Sequence, residues 1–65
     1  MVKLNVKAIR ELMRDQARTS TNFAYAAGFS PTLLDKFLRE AAAPMYYAKS
    51  TARVLGVPII AITTA

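Results

Sequence analysis

The sequence lacks several of the residues on which enzyme active sites most often depend. Its 65 residues include no cysteine and no histidine, which excludes disulfides, thiolate sites, histidine metal ligands and imidazole base catalysis. Four residues are acidic, and no two of them are spaced as a catalytic pair; they are Glu11, Asp15, Asp35 and Glu40. We therefore expect no enzyme, no metal site and no cofactor.

Long apolar stretches are missing as well. No run approaches the ~20 residues that a membrane-spanning helix needs, and residues 1–4 are too short and too mixed for a signal peptide. We expect a protein of the cytoplasm that does not enter the membrane. Because chains rarely divide into domains below ~100 residues, residues 1–65 are predicted to form a single domain. The apolar content of 54% is enough for a core.

Acidic residues are few beside nine lysines and arginines, which gives a formal charge of +5. This balance favours a polyanionic partner, either nucleic acid or an anionic membrane. A basic stripe recurs at spacings of three and four, and such a stripe is often only the solvated face of a helix; it comprises Lys7, Arg10, Arg14 and Arg18. Glycine and proline interrupt the chain too often for one long interfacial helix, so membrane binding is the weaker alternative.

Residues 19–39 carry the most informative pattern in the chain. Thr19 or Ser20 can cap a helix that Gly28 ends, and Ser30 can cap a second helix. The small residue Ala24 would let the two helices cross closely, and Pro31 suits a first helical turn because no amide donor is needed there. The pattern predicts a helix-turn-helix over residues 19–39.

The flanking segments predict further short elements. Asn5 can cap a helix that begins at Val6, although the alternation of apolar residues near the amino terminus would also permit a short strand. Residues 40–44 are predicted to form a loop, and their alanines would also allow the preceding helix to continue. A further helix is expected over residues 45–55. Residues 58–64 remain open between a fifth helix, which Pro58 suits, and a strand, which the isoleucines and threonines suit.

The fold class predicted from these elements is all-α, a compact bundle of four to five short helices with a central helix-turn-helix. Three phenylalanines and three methionines are expected to pack inside it: Phe23, Phe29, Phe37, Met1, Met13 and Met45. Tyr46 and Tyr47 are adjacent, so they cannot both face the same side of a helix.

These residues together resemble the Cro/CI-type (XRE-type) helix-turn-helix repressors of phages and bacteria. That family shows an apolar-x-x-Leu helix, a Thr-Gln pair, Leu-Ala, a Gly-apolar-Ser turn, a later proline and Leu-Gly-Val. The corresponding segments here are Ile9–Leu12, Thr19-Ser20, Phe23-Ala24, Gly28-Phe29-Ser30, Pro44 and Leu55-Gly56-Val57. The resemblance covers nearly the whole chain and implies a lambda-repressor-like fold and binding to double-stranded DNA. For a bacterial or phage protein it also implies location in the bacterial cytoplasm or nucleoid.

The resemblance also implies which residues would meet DNA. Pro31, Thr32, Asp35 and Lys36 would face base edges, and Ser30 and Arg39 would lie nearer to phosphates. Helix amino termini attract phosphates through free amides, which adds Thr19, Ser20 and Thr21 as phosphate contacts. Arg14, from the basic stripe, is expected to contact a phosphate too.

A single module of this size contacts few base pairs, so useful specificity would require a homodimer on a two-fold related site. Ile59, Ile60 and Ile62 are the predicted dimer interface, because Ile60 stands where the family usually has a charged residue. Two alternatives remain open. The chain could be a protein-interaction module, such as an antitoxin, anti-repressor or adaptor, or it could be an excisionase-like recombination factor.

Overall fold

The computed structural model describes residues 1–64, in which four α-helices account for most of the chain. Helix α1 spans Val6–Asp15, α2 spans Ser20–Ala27, α3 spans Pro31–Glu40 and α4 spans Met45–Leu55. Two short strands, β1 at Val2–Lys3 and β2 at Ala42–Ala43, and a 3₁₀ helix at Ile59–Ala61 complete the structure. The predicted helical bundle with a short strand near a terminus is confirmed.

Three helices begin where a side chain accepts a hydrogen bond from a free backbone amide. Asn5 Oδ1 accepts from the Ala8 N–H at 3.1 Å. Thr19 Oγ1 accepts from the Asn22 N–H and Ser30 Oγ from the Leu33 N–H, each also at 3.1 Å. These bonds satisfy donors that the first helical turn leaves unpaired. The predicted starts of α1, α2 and α3 are confirmed, with Thr19 and not Ser20 as the cap of α2.

Left-handed backbone ends the helices that flank the turn. Gly28 follows α2 with φ +88°, a conformation that glycine adopts without steric cost. Helix α3 ends differently, because Ala41 adopts a φ of +53° although it carries a side chain. The α3 helix therefore stops at Glu40 and does not continue through the following alanines.

The amino-terminal segment pairs with two distant parts of the chain. Strand β1 runs antiparallel to β2, with Val2 opposite Ala43 and Lys3 opposite Ala42. On the other side, Leu4 forms an isolated antiparallel bridge with Thr63. The prediction of a plain loop over residues 40–44 was therefore wrong for residues 42–43, and Glu40 belongs to α3. Residues 58–64 adopt neither of the two predicted forms throughout, since a 3₁₀ helix leads into the bridge.

The core lies among the four helices and the 3₁₀ helix, and α1 contributes Ile9 and Met13 to it. The largest completely buried side chains of the core are Phe23, Ile9, Leu34 and Ile62. Phe29 and Phe37 are buried and pack against the half-buried Tyr47. Their ring centroids lie 5.2 and 5.1 Å from that of Tyr47 and 6.0 Å from each other. The three phenylalanines therefore lie in the core as predicted. The methionine prediction holds only for Met13, since Met1 and Met45 are exposed.

Candidate nucleic-acid interface

The connection between α2 and α3 is a three-residue turn, Gly28–Ser30. Within it the Phe29 N–H donates to the Ala24 carbonyl at 3.0 Å, and the Phe29 side chain is buried. Ala24 is itself completely buried, which is what a close approach of α2 to its neighbours requires. A capped helix, a glycine turn and a second capped helix follow one another as the sequence predicts. The turn is therefore held at both ends, and the start of α3 is fixed relative to α2.

The exposed side of α3 brings together most of the predicted base-reading residues. Thr32, Asp35 and Lys36 are exposed, as is Arg39 one turn further along. They line a shallow depression of about 450 Å³ together with Ser30 and Leu33. Pro31 differs from the others, because it is half-buried at the first position of the helix and does not line this depression. Three of the four residues predicted to read bases therefore lie on one continuous surface.

A second depression, of about 360 Å³, lies where α1 meets the amino terminus of α2. Three arginines line it, Arg10, Arg14 and Arg18, together with Met13, Thr19 and Ser20. Of the predicted phosphate contacts, Arg14, Thr19 and Ser20 therefore lie together. Thr21 is exposed but is not part of the lining, and Ser30 and Arg39 belong to the α3 surface.

Gln16 connects Arg18 of this arginine cluster to the carboxyl end of α4. Its Nε2 donates to the Leu55 carbonyl at 2.8 Å, where α4 ends. Its Oε1 accepts from Arg18 Nε at 3.1 Å. The guanidinium of Arg18 is thereby held by a side chain that is itself anchored, which restricts the directions in which this cation can point.

Four lining residues were not among the predicted contacts: Arg10, Met13, Arg18 and Leu33. Met13 was predicted to pack in the core, where it is buried. Arg10 lies four residues before Arg14 on α1, so its helical spacing was the available signal. Arg18 follows the end of α1 and the left-handed Ala17, so the predicted helical stripe does not extend to it. Leu33 gave no such signal, because an apolar residue beside Leu34 in a helix is indistinguishable by type from a core residue. It is nevertheless half-exposed at the depression.

The predicted dimer interface is divided by the fold. Ile62 has no exposed surface, so it belongs to the core and cannot touch a partner in this structure. Its inclusion in the interface was wrong, and the reason is that the bridge between Leu4 and Thr63 turns the preceding residue inward. Ile59 is half-buried against the core, whereas Ile60 is 78% exposed.

No helix within residues 1–64 is long and apolar enough to cross a membrane. Comparison of the chain with models of protein families, with curated proteins and with solved structures found no match. The fold and the two surfaces above are therefore the basis on which a function can be argued.

Proposed function

We propose that this protein is a sequence-specific double-stranded DNA-binding transcriptional regulator of the Cro/CI type that reads its operator through α3. The observation that carries the proposal is the α3 surface, on which Thr32, Asp35 and Lys36 project from a helix that a tight turn holds against α2. An α-helix fits the ~12 Å width of the major groove. The net charge of +5 supports a polyanionic partner.

The side chains on this surface have the chemistry that distinguishes bases. Lys36 can donate to guanine O6 or N7, and Asp35 can accept from cytosine N4. Thr32 can place its methyl group against a thymine methyl. An aspartate in a groove lined by phosphates is unfavourable unless it finds such a donor, so Asp35 would reject wrong bases as well as accept the right one.

The arginine cluster supports the proposal because phosphates supply most of the affinity of DNA-binding proteins. Arg10, Arg14 and Arg18 surround the start of α2, where backbone amides are not paired within the helix. The partial positive charge of a helix amino terminus and three guanidinium groups attract the same ligand, an anionic oxygen. In the proposed complex this depression receives a backbone phosphate.

The proposed regulator acts as a homodimer, with the exposed Ile60 at the contact between subunits. An isoleucine that is 78% exposed on a small domain exposes apolar surface that a partner can remove from water. The half-buried Ile59 lies beside it. Dimerisation doubles the number of base pairs contacted, which is why small helix-turn-helix modules use two half-sites.

A protein-interaction module is the second candidate, and exposed tyrosines favour it. Tyr25 is 70% exposed and Tyr46 is 73% exposed, and tyrosine is enriched where proteins meet. A stable complex with another protein, combined with duplex binding that is absent or insensitive to salt, would support this function over DNA reading.

The decisive experiment is selection of bound sequences from a random duplex pool, followed by titration of the selected duplex at several salt concentrations. We expect a palindromic consensus and a linear fall of log affinity with log salt. Lys36→Ala should cost about 1–3 kcal/mol on the selected site and little on random duplex. Lys49→Ala, which removes an exposed lysine of α4 outside both depressions, is the matched control and should change neither.

Arg14→Ala should weaken binding to all duplexes by similar factors and lower the salt slope by about one. No binding at low salt, or a flat salt dependence, would contradict the proposal. Equal loss of specific and non-specific binding in Lys36→Ala would leave DNA binding intact and remove Lys36 from the base readers.

A further inference from the structure

Leu33 is an apolar side chain in a depression that is otherwise lined by polar and charged groups. Its neighbours there are Ser30, Thr32, Asp35, Lys36 and Arg39. Part of the leucine packs against the core and part remains accessible, so it is half-buried. Its backbone is fixed as well, because the Leu33 N–H donates to Ser30 Oγ at 3.1 Å in the first turn of α3.

We infer that Leu33 is a specificity-determining residue that packs against the C5-methyl group of a thymine in the major groove. The inference rests on the proposed function and deepens it by naming the base that the apolar part of the surface would select. The thymine methyl is the apolar group that the base pairs display in the major groove, and cytosine lacks it.

The charges around Leu33 favour DNA over an apolar protein partner as the occupant. Lys36 and Arg39 lie on the same surface, so a ligand that covers Leu33 must also accommodate two cations. A nucleic acid offers phosphates and acceptor atoms to those cations while its thymines offer methyl groups. Asp35 is the anion on this surface, and a cytosine amino group is a donor that the same groove supplies.

The position of Leu33 makes the contact a selective one. A side chain anchored by the core on one side and by the Ser30 cap at its amide has little freedom to move away from a mismatched base. Packing of a thymine methyl group against Leu33 therefore strengthens binding. Cytosine or uracil at the same position leaves a gap beside the leucine. Removing one buried methyl group should weaken binding roughly fourfold.

The test uses a duplex selected from a random pool by the wild-type chain, in which each thymine in turn is replaced by deoxyuridine. This replacement removes only the methyl group and leaves base pairing unchanged. We expect at least one thymine whose replacement weakens wild-type binding about fourfold. Leu33→Ala should bind the thymine and the deoxyuridine duplexes equally well. Leu33→Met, which keeps an apolar side chain of similar volume, should retain the difference.

Lys49→Ala is the control outside the surface and should leave the difference unchanged. Thr32 can also meet a thymine methyl, so Thr32→Ser, which removes its methyl group and keeps the hydroxyl, distinguishes a contact of Thr32 from that of Leu33. Thr32→Ser should leave the difference between thymine and deoxyuridine at the Leu33 position unchanged. Measurements are made below the melting temperature of each variant, so that lost packing of Leu33 does not enter the comparison.

Three results would overturn the assignment of Leu33: a consensus in which no thymine replacement weakens binding, a difference that survives in Leu33→Ala, or a difference that disappears in Thr32→Ser. Each of these leaves salt-dependent duplex binding in place, so the proposed function would stand. A wild-type chain that binds no duplex at low salt, or that binds a protein in its place, would overturn both.

Discussion

Replacing Ala24 with leucine tests whether the approach of α2 to its neighbours sets the stability of the fold. Ala24 has no exposed surface, and its carbonyl accepts the Phe29 N–H that shapes the turn. The three added carbon atoms have no solvent to enter, so they must displace packed side chains or shift the helix. Overpacking of this kind costs about 1–3 kcal/mol.

That cost is large for a domain of this size. At ~0.05–0.15 kcal/mol per residue, a chain of 65 residues has a total stability of about 3–10 kcal/mol. For so small a domain each 1 kcal/mol lowers the melting temperature by roughly 4–8 °C. Ala24→Leu should therefore melt about 4–24 °C below the wild type.

The assay is thermal unfolding followed by far-ultraviolet circular dichroism. Ala26→Leu is the matched control, because Ala26 lies on the exposed side of the same helix and receives the same added carbons. We expect its melting temperature to stay within a few degrees of the wild type, since exposed substitutions usually change stability by under ~0.5 kcal/mol. If Ala24→Leu and Ala26→Leu melted at the same temperature, the reasoning that Ala24 occupies a close helix contact would be refuted.

Further predictions concern the backbone and the tail. Gly28→Ala should cost about 1–2 kcal/mol from left-handed strain alone, since an added Cβ would meet nothing within 4 Å, and Gly28→Asn should lose less in the same melt. Ala41→Gly should raise the melting temperature slightly, because it relieves a φ of +53°, and a lower value would contradict strain at Ala41. Ile62→Ala should cost about 2–5 kcal/mol by leaving a cavity, whereas Ile60→Ala should change monomer stability little. Ile60→Asp should abolish the proposed dimer and leave the monomer folded, which sedimentation equilibrium with and without the selected duplex would measure. A dimer that persists in Ile60→Asp would mean that the interface lies elsewhere.

Helix starts were predictable from the sequence because the interactions that fix them are local. Each cap at Asn5, Thr19 and Ser30 bonds to an amide three residues further along. The turn at Gly28 was equally accessible, because glycine marks left-handed backbone by its residue type. These signals need no knowledge of the rest of the fold.

Strand β2 and the structure of residues 58–64 were not predictable in the same way. Residues 41–43 are three alanines, whose side chains carry no preference for a strand and favour a helix if anything. Ala42 and Ala43 nevertheless form a strand, because β1, about 40 residues earlier in the sequence, supplies hydrogen-bond partners. Burial of Ile62 likewise depends on the pairing of Leu4 with Thr63.

The two candidate surfaces also differ in how far local sequence patterns predict them. The exposed positions of α3 follow from helical periodicity, so Thr32, Asp35 and Lys36 were identified from the sequence. Arg10 and Arg14 of α1 meet Arg18 and the start of α2 because of how the two helices pack, which periodicity within one helix cannot predict. The partial exposure of Leu33 depends on tertiary packing for the same reason.

The placement of β1 between two other segments has a consequence for the order in which the chain can fold. The Leu4 N–H donates to the Ala41 carbonyl, and the Asn5 N–H donates to the Ile62 carbonyl, each at 2.8 Å. Both bonds join residues far apart in the sequence, so forming them closes long loops at a cost in entropy, and we expect them to form late in folding, after the helices. Amide hydrogens at Leu4 and Asn5 would then exchange with solvent only through openings that release β1 from both neighbours. The first few residues thus hold two distant segments of the domain together. The hydrogen-exchange rates of the Leu4 and Asn5 amides therefore report the free energy of opening this contact.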